Sequence, residues 1–335
     1  MRAVYLEEKN VFKMKQIPLP EPKKNELLIQ VKSVGVCGSD VHYWEHGRIG
    51  KFIVEKPIIL GHEMSGVVAG CGENTTGFQI GDRVVVEPGT PCWHCEYCKT
   101  GRYNLCSDII FYATPPYDGA LCEYVVHDSS LVFKIPDKIS YDVATMTEPQ
   151  AVGTAAVRRA NLHLGERVII YGAGIIGICA MLAARAAGAK DITMMDIRPD
   201  RLEIAKKLGC DYIINAQTHK TDSCLYDVAF ECSGAASSLS DASRSVKPGG
   251  RIVLIGMGGE SLMKVPMVDF IINQQDLISV FRYANSYESA LGIIEKECDN
   301  LKPLITHRFS LDQTEDAFKA AKNDRNAVKV IIDIG

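Results

Sequence analysis

The run Arg167-Val168-Ile169-Ile170-Tyr171 is apolar without alternation, and it ends directly in Gly172-Ala173-Gly174-Ile175-Ile176-Gly177. A strand with no polar face must be buried on both sides, the condition of a parallel sheet covered by helices. The alanine-rich stretch Ile178–Ala187 then reads as helix, closed by Gly188. A second strand, Ile192–Met195, ends in Asp196, 19 residues beyond Gly177. Gly-x-Gly-x-x-Gly alone is a weak signal. Set between a strand and a helix, with an acid at that distance, it is a dinucleotide fingerprint. Gly172 permits the tight turn, Gly174 lets a pyrophosphate reach backbone N–H groups, and Gly177 lets helix and strand pack closely. The helix N-terminus then faces the phosphates. Asp196 suits the adenosine ribose hydroxyls and repels a 2′-phosphate, which favours NAD over NADP. Arg198 and Arg201 weaken that preference, because an arginine can accommodate a 2′-phosphate.

The βα rhythm continues through strands at Tyr212–Asn215, Tyr226–Cys232, Arg251–Gly256 and Leu277–Phe281. About six parallel strands predict a doubly wound α/β domain over residues 149–281. A chain of 335 residues exceeds one ordinary core, so a second domain is expected. Residues 1–148 alternate apolar and polar positions between Gly and Pro turns, which predicts a small barrel-like β domain. Beyond 281, amphipathic helices at Ser286–Glu297 and Thr314–Asn323 precede a strand at Val328–Ile334 that returns to the first domain. Hydrophobic residues make up 47%, charged residues 23%, and the formal net charge is -4. That balance gives no basis for nucleic acid or anionic membrane as a partner. No apolar run approaches the roughly 18 residues of a membrane span, and no signal-peptide pattern opens the chain, so the cytoplasm is expected.

Five of the twelve cysteines demand metal. Cys92, Cys95, Cys98 and Cys106 follow the spacing C-x2-C-x2-C-x7-C. Four thiolates within fifteen residues fit a closed tetrahedral zinc site whose role is structural. An iron–sulfur cluster uses similar spacings and is the competing reading. The fifth, Cys37, ends a strand. Gly61-His62-Glu63 supplies an imidazole and a carboxylate. Together the three make a zinc site that keeps a position open for water or substrate. Taken singly, Cys37 reads as a buried small hydrophobe and His62 as a core histidine. His42 and His46 fall in a stretch read as an irregular surface loop. Phe111–Gly119 reads as a proline-turned loop, either packed on the surface or forming the wall of a substrate pocket, and Glu148-Pro149 reads as a turn.

These motifs resemble the zinc-dependent medium-chain dehydrogenases over nearly the whole chain. The run Gly61-His62-Glu63-x2-Gly66-x5-Gly72 fits the family's zinc signature, although Thr75 stands where a small apolar residue is more usual. Within the family the chain is similar to the polyol branch of sorbitol (L-iditol 2-) and xylitol dehydrogenases. Residues 37–50, Ala113-Thr114-Pro115-Pro116, Glu148-Pro149 and Val280-Phe281-Arg282-Tyr283 carry that similarity. The resemblance implies a GroES-like β-rich catalytic domain, 1–148 with 282–335, split around the Rossmann domain. It implies a catalytic zinc at Cys37, His62 and Glu63. Glu148 stands where alcohol dehydrogenases carry a cysteine ligand, and would meet zinc directly or through water. Ser39 and His42 match proton-relay positions, with Glu148 beside them as a catalytic residue. Tyr43, Phe111, Arg282 and Tyr283 match substrate positions. Cofactor positions are Gly172, Gly174, Ile176, Gly177, Asp196, Arg201, Val280 and Arg282. All four structural-zinc cysteines are present, as in the microbial members.

The reaction implied is reversible oxidation of a polyol's C2 hydroxyl to a ketose, with NAD, two zinc ions per chain and a homotetramer. The rivals are a 2,3-butanediol or threonine dehydrogenase of the same family, and a zinc-stabilised NAD-binding protein without turnover.

Overall fold

The computed structural model of the chain describes residues 1–235, 237–258 and 265–335. It divides into two compact units, one of Met1–Glu148 with Ile294–Gly335 and one of Pro149–Ile293. The expected second boundary at 281 therefore moves to 293. The reason is local. The continuous helix Tyr287–Leu301 carries the chain from one unit to the other, so no turn or change of composition marks the passage.

The first unit is built on strand Glu26–Gly35. Its alternation puts Leu27, Ile29 and Val31 in the core at no more than 1% exposure. This strand pairs antiparallel with Glu63–Cys71, with Tyr124–Asp128 and with Lys329–Asp333. Arg83–Val86, Val132–Lys134 and Ile305–Ser310 complete a seven-stranded sheet. In the register, Gly35 stands opposite Glu63 on one side and Ile331 on the other. The final strand thus returns beside residues almost 300 positions earlier, as the sequence pattern predicts. The strand Ile305–Ser310 was not foreseen. It pairs parallel to Lys329–Asp333, and its polar run Thr306-His307-Arg308 hides a β pattern.

The stretch after Cys37 departs from expectation. It is the helix Gly38–His46, not a loop. Cys37 caps it: its sulfur faces the Asp40 N–H, and the Asp40 carboxylate accepts the Cys37 N–H at 3.4 Å. Gly47, at φ 71°, closes it in a left-handed turn. Cysteine is not among the usual N-cap residues, so the sequence carries no start signal. Glu148-Pro149 is likewise helical, lying in the first turn of Thr147–Arg159, where proline is tolerated.

The second unit holds a six-stranded parallel sheet. Its order is Tyr212–Asn215, Asp191–Asp196, Arg167–Tyr171, Tyr226–Glu231, Val246–Leu254, Asp276–Ser279. Order therefore reverses between Arg167–Tyr171 and Tyr226–Glu231, and a dinucleotide binds outside the carboxyl ends of strands at such a point. A helix at Met267–Asn273 had no sequence signal. No helix among the described residues is long and apolar enough to cross a membrane.

One buried group sets a pH dependence. His127 is 4% exposed. Its Nε2 donates to the Glu87 carbonyl at 2.8 Å, and its Nδ1 lies 3.0 Å from the Tyr112 hydroxyl. Burial lowers its pKa to about 4. Because the unfolded chain takes up this proton near pH 6.5 and the folded chain does not, stability falls as pH drops from 6.5 towards 4. The contribution is at most about 3 kcal/mol. Urea titrations of zinc-loaded protein at pH 7.5 and 5.0 should show a smaller loss in His127→Gln than in the native chain.

Candidate active site and metal centres

Strand Glu26–Gly35 delivers Cys37 at its end, and the neighbouring strand begins with Glu63 directly after His62. The ligand atoms of Cys37, His62 and Glu63 all lie within 4.8 Å of one another. His62 is 7% exposed and Glu63 2%. Asp40, 1% exposed, holds the group together: one oxygen lies 3.4 Å from His62 Nδ1 and 3.2 Å from the Gly61 nitrogen. A carboxylate on one ring nitrogen fixes the tautomer and frees the other for a cation. Burial alone would lower the His62 pKa, but the charges of Asp40 and Cys37 outweigh it and hold the ring well above its ordinary value.

Lys329 completes this cluster, and the sequence reading passed over it. Its ammonium is buried and bonds Glu63 Oε2, with the Val36 carbonyl at 3.5 Å. Burial pulls its pKa down, yet Glu63, Cys37 and Glu148 raise it above the ordinary lysine value. Gly35 leaves room for the pair, since a Cβ there would collide with Glu63 Oε2 and stand 2.8 Å from Lys329 Cε. A lysine directly before the apolar run Val330-Ile331-Ile332 was the available signal.

Glu148 is buried and lies outside the cluster of three. Its charge is felt by both Lys329 and Glu87. Glu87 is 2% exposed and accepts the Tyr103 hydroxyl at 2.7 Å. Burial, with a further push from Glu148, raises its pKa to about 7. Ser39 donates to Cys37 Sγ at 3.3 Å. Ser39 and His42 stand three apart on the helix, hence on one face. His42 continues to His46 through rings 4.5 Å apart. Tyr43 is buried on the same helix, and Phe111 faces the His62 ring at 6.0 Å.

The four-cysteine motif forms a second cluster, with all four sulfurs within 4.8 Å of one another. Backbone hydrogen bonds at His94 and Cys95 draw Cys92 down to about 6. Burial and the neighbouring thiols push Cys98 up to about 12. Four sulfurs at such separations suit a single cation, and the donor set fits zinc. Tyr103, which bonds Glu87, packs in a tilted arrangement against Trp93 of this lobe, with ring centroids 5.6 Å apart.

In the second unit Gly172, Gly174 and Gly177 stand at the carboxyl end of the central strand. A Cβ at Gly177 would collide with the Gly172 carbonyl, whereas one at Gly174 would enter open space. Helix Ile175–Ala186 has no side-chain cap, so its first N–H groups remain for a pyrophosphate. Ile176 lies in that first turn. Asp196 accepts the Ala173 N–H at 2.6 Å and the Arg198 N–H at 2.9 Å. The Arg198 guanidinium pairs with Asp200, and Arg201 is half-buried with its pKa lowered by burial. This arrangement fits NAD. Val280 follows the last strand, Arg282 lies over the Phe281 ring at 4.9 Å, and Tyr283 is buried against Tyr287 at 5.9 Å.

Two outcomes test these centres. Cys95→Ser should halve the zinc content and lower Tm by several degrees, measured by metal analysis and melting with and without chelator. Lys329→Met strands a buried carboxylate, which should cost about 3–5 kcal/mol of unfolding free energy in the metal-free chain. The loss should be smaller when zinc is bound, because the cation then compensates Glu63.

Comparison with known proteins agrees with this geometry. Residues 23–137 match the family described as alcohol dehydrogenase GroES-like domain, and residues 176–296 match zinc-binding dehydrogenase. The sorbitol dehydrogenase of Bacillus subtilis is 41% identical, over 99% of this chain and 97% of its own. The human sorbitol dehydrogenase is 40% identical, over 93% and 90%. Among solved structures, 2R,3R-butanediol dehydrogenase of Bacillus subtilis superposes with a TM-score of 0.88 at 28% identity, covering 100% of this chain and 99% of that one. With both zinc-ligand clusters and the dinucleotide turn in place, the chain belongs to the zinc-binding medium-chain dehydrogenases, in the branch that contains the sorbitol dehydrogenases.

Proposed function

We propose that the chain is a zinc-dependent, NAD-linked polyol dehydrogenase that oxidises the C2 hydroxyl of sorbitol, xylitol or L-iditol reversibly to the ketose. The observation that carries this is the 41% identity to a sorbitol dehydrogenase along 99% of the chain. Butanediol dehydrogenase is the second reading, supported by the TM-score of 0.88 at the lower identity of 28%.

Cys37, His62 and Glu63 would hold the zinc, which would supply Lewis acidity towards a substrate hydroxyl, and bound NAD would supply the hydride acceptor. Asp40 keeps His62 in the ligating tautomer. Lys329 offsets the charge of Glu63, so that the carboxylate can sit beside the Cys37 thiolate. Ser39 takes the substrate proton, and His42 passes it along the helix face towards His46 and solvent. Glu148 is assigned to the zinc, directly or through a water. Tyr43, Phe111, Arg282 and Tyr283 are assigned to the substrate, and Ile176, Arg201 and Val280 to the cofactor. Polar groups such as Arg282 favour polyhydroxylated substrates, whose additional hydroxyls can hydrogen-bond to them.

Self-association into a homotetramer and a cytoplasmic location belong to the same proposal. The helix Met267–Asn273 exposes Met267, Val268, Ile271 and Ile272 at 58–74%, and the sheet's end strand Asp276–Ser279 exposes Leu277. An apolar patch beside an open strand edge suits association of copies.

Initial rates on sorbitol, xylitol, L-iditol, galactitol, 2,3-butanediol and threonine, with NAD and with NADP, test the substrate. A preference for the first three with NAD is expected, and preference for butanediol or threonine would refute the polyol assignment. Cys37→Ala should lower turnover by about 10²–10³-fold or more while NADH binding persists.

A further inference from the structure

The carboxylate of Glu231 ends the strand Tyr226–Glu231 and is 2% exposed. No lysine or arginine is among its described hydrogen-bond partners. Instead Oε1 accepts the Ser233 N–H at 2.8 Å, the Gly234 N–H at 3.0 Å, the Ser233 hydroxyl and the Ser238 hydroxyl at 3.0 Å. Oε2 lies 3.2 Å from the Gly234 nitrogen. Its backbone carbonyl accepts the Ile255 and Gly256 N–H groups, both at 2.9 Å. One residue thus ties the loop after its own strand to the loop after Val246–Leu254. Burying a charge this deeply is costly unless hydrogen bonds replace water, and here backbone donors do so.

That loop adjoins the phosphate turn. A Cβ at Gly172 would stand 3.0 Å from the Ser233 nitrogen and 3.1 Å from the Cys232 carbonyl carbon. The two strands concerned are neighbours at the point where strand order reverses. Three backbone segments therefore converge where a dinucleotide would lie: the Gly172 turn, Cys232–Gly234 and Ile255–Gly256.

We infer that Glu231 is a positioning residue for the cofactor. It draws the Cys232–Gly234 backbone into the shape against which the dinucleotide rests, without touching the dinucleotide itself. A neutral apolar residue would fill the strand end at lower desolvation cost, but would leave two N–H groups and two hydroxyls unfixed. The loop's order would then have to be established at the moment of binding, which weakens affinity.

This rests on the NAD reading of the Gly172–Gly177 turn, and the experiment separates the two. NADH and ADP-ribose are titrated by calorimetry into native protein, Glu231→Ala and Glu231→Gln, at a temperature where melting curves show each fully folded. Glu231→Ala should bind NADH about tenfold more weakly. Glu231→Gln, whose amide oxygen can still accept from Ser233 and Gly234, should recover most of that loss. In kinetics the KM for NAD should rise more than kcat falls, and zinc content should stay native. Native NADH affinity in Glu231→Ala would overturn the inference and leave the carboxylate a purely structural strut. If native protein bound no NADH, the cofactor reading itself would fall. Should Glu231→Ala not fold, Ser233→Ala/Ser238→Ala removes two of the four donors. Weakened NADH binding there supports the inference, and unchanged binding overturns it.

Discussion

A lysine ammonium and a glutamate carboxylate, both 2% exposed, meet at the point where the first and last thirds of the catalytic unit join. Lys329 comes from the final strand and Glu63 from a strand near the start, and Gly35 lies between them as the one residue small enough to allow it. A carboxylate buried at that depth needs a partner that offsets its charge. The ammonium against it offsets the carboxylate's charge where Cys37, His62 and Glu63 come together. The sheet register and the metal chemistry are therefore one constraint. A one-residue slip of Lys329–Asp333 would turn the ammonium to the other face of the sheet.

The two zinc-ligand sets differ in how they are supported. The four cysteines lie within fifteen residues of the chain, which the Trp93–Tyr103 contact braces from within. The catalytic set is assembled from separate segments and depends on residues that are not ligands. Asp40 orients His62 and caps the helix that carries Ser39 and His42. The same aspartate thus fixes the imidazole and the helix that carries the proposed proton relay of Ser39 and His42. Its substitution would disturb both at once, a coupling that no ligand motif expresses.

What the sequence made legible follows from this difference. Local patterns were readable. The strand–glycine turn–helix of 167–188 forms the central βα unit, and all six parallel strands are present, although one starts at Val246 rather than at the expected Arg251. Cys92, Cys95, Cys98 and Cys106 converge as their spacing implies. The helix after Cys37 was not readable, because a cysteine does the capping. Lys329 was not readable as a site residue, because its partner lies 266 positions away. The strand Ile305–Ser310 was hidden by polar residues at a sheet margin, where burial is partial and alternation weak. In each case the missing information is a long-range pairing or an unusual residue in a common role.

Three glutamates, Glu63, Glu87 and Glu231, have the same 2% exposure and three different resolutions of the same electrostatic cost. Glu63 faces an ammonium and stands among metal-ligating groups. Glu231 faces backbone N–H groups and hydroxyls at the cofactor turn. Glu87 has one tyrosine hydroxyl and a nearby like charge in Glu148, and its pKa rises to about 7. Depth of burial alone therefore predicts none of their states. The sign and number of the neighbours decide whether a buried carboxylate becomes a ligand, a brace or a group half-protonated at neutrality. All three lie at or just past a strand terminus, where the ladder ends and free backbone donors or a neighbouring strand can reach the side chain. That is also where α/β and β-barrel dehydrogenase domains must place their chemistry, so the residues hardest to bury are found where the fold offers the most ways to offset them.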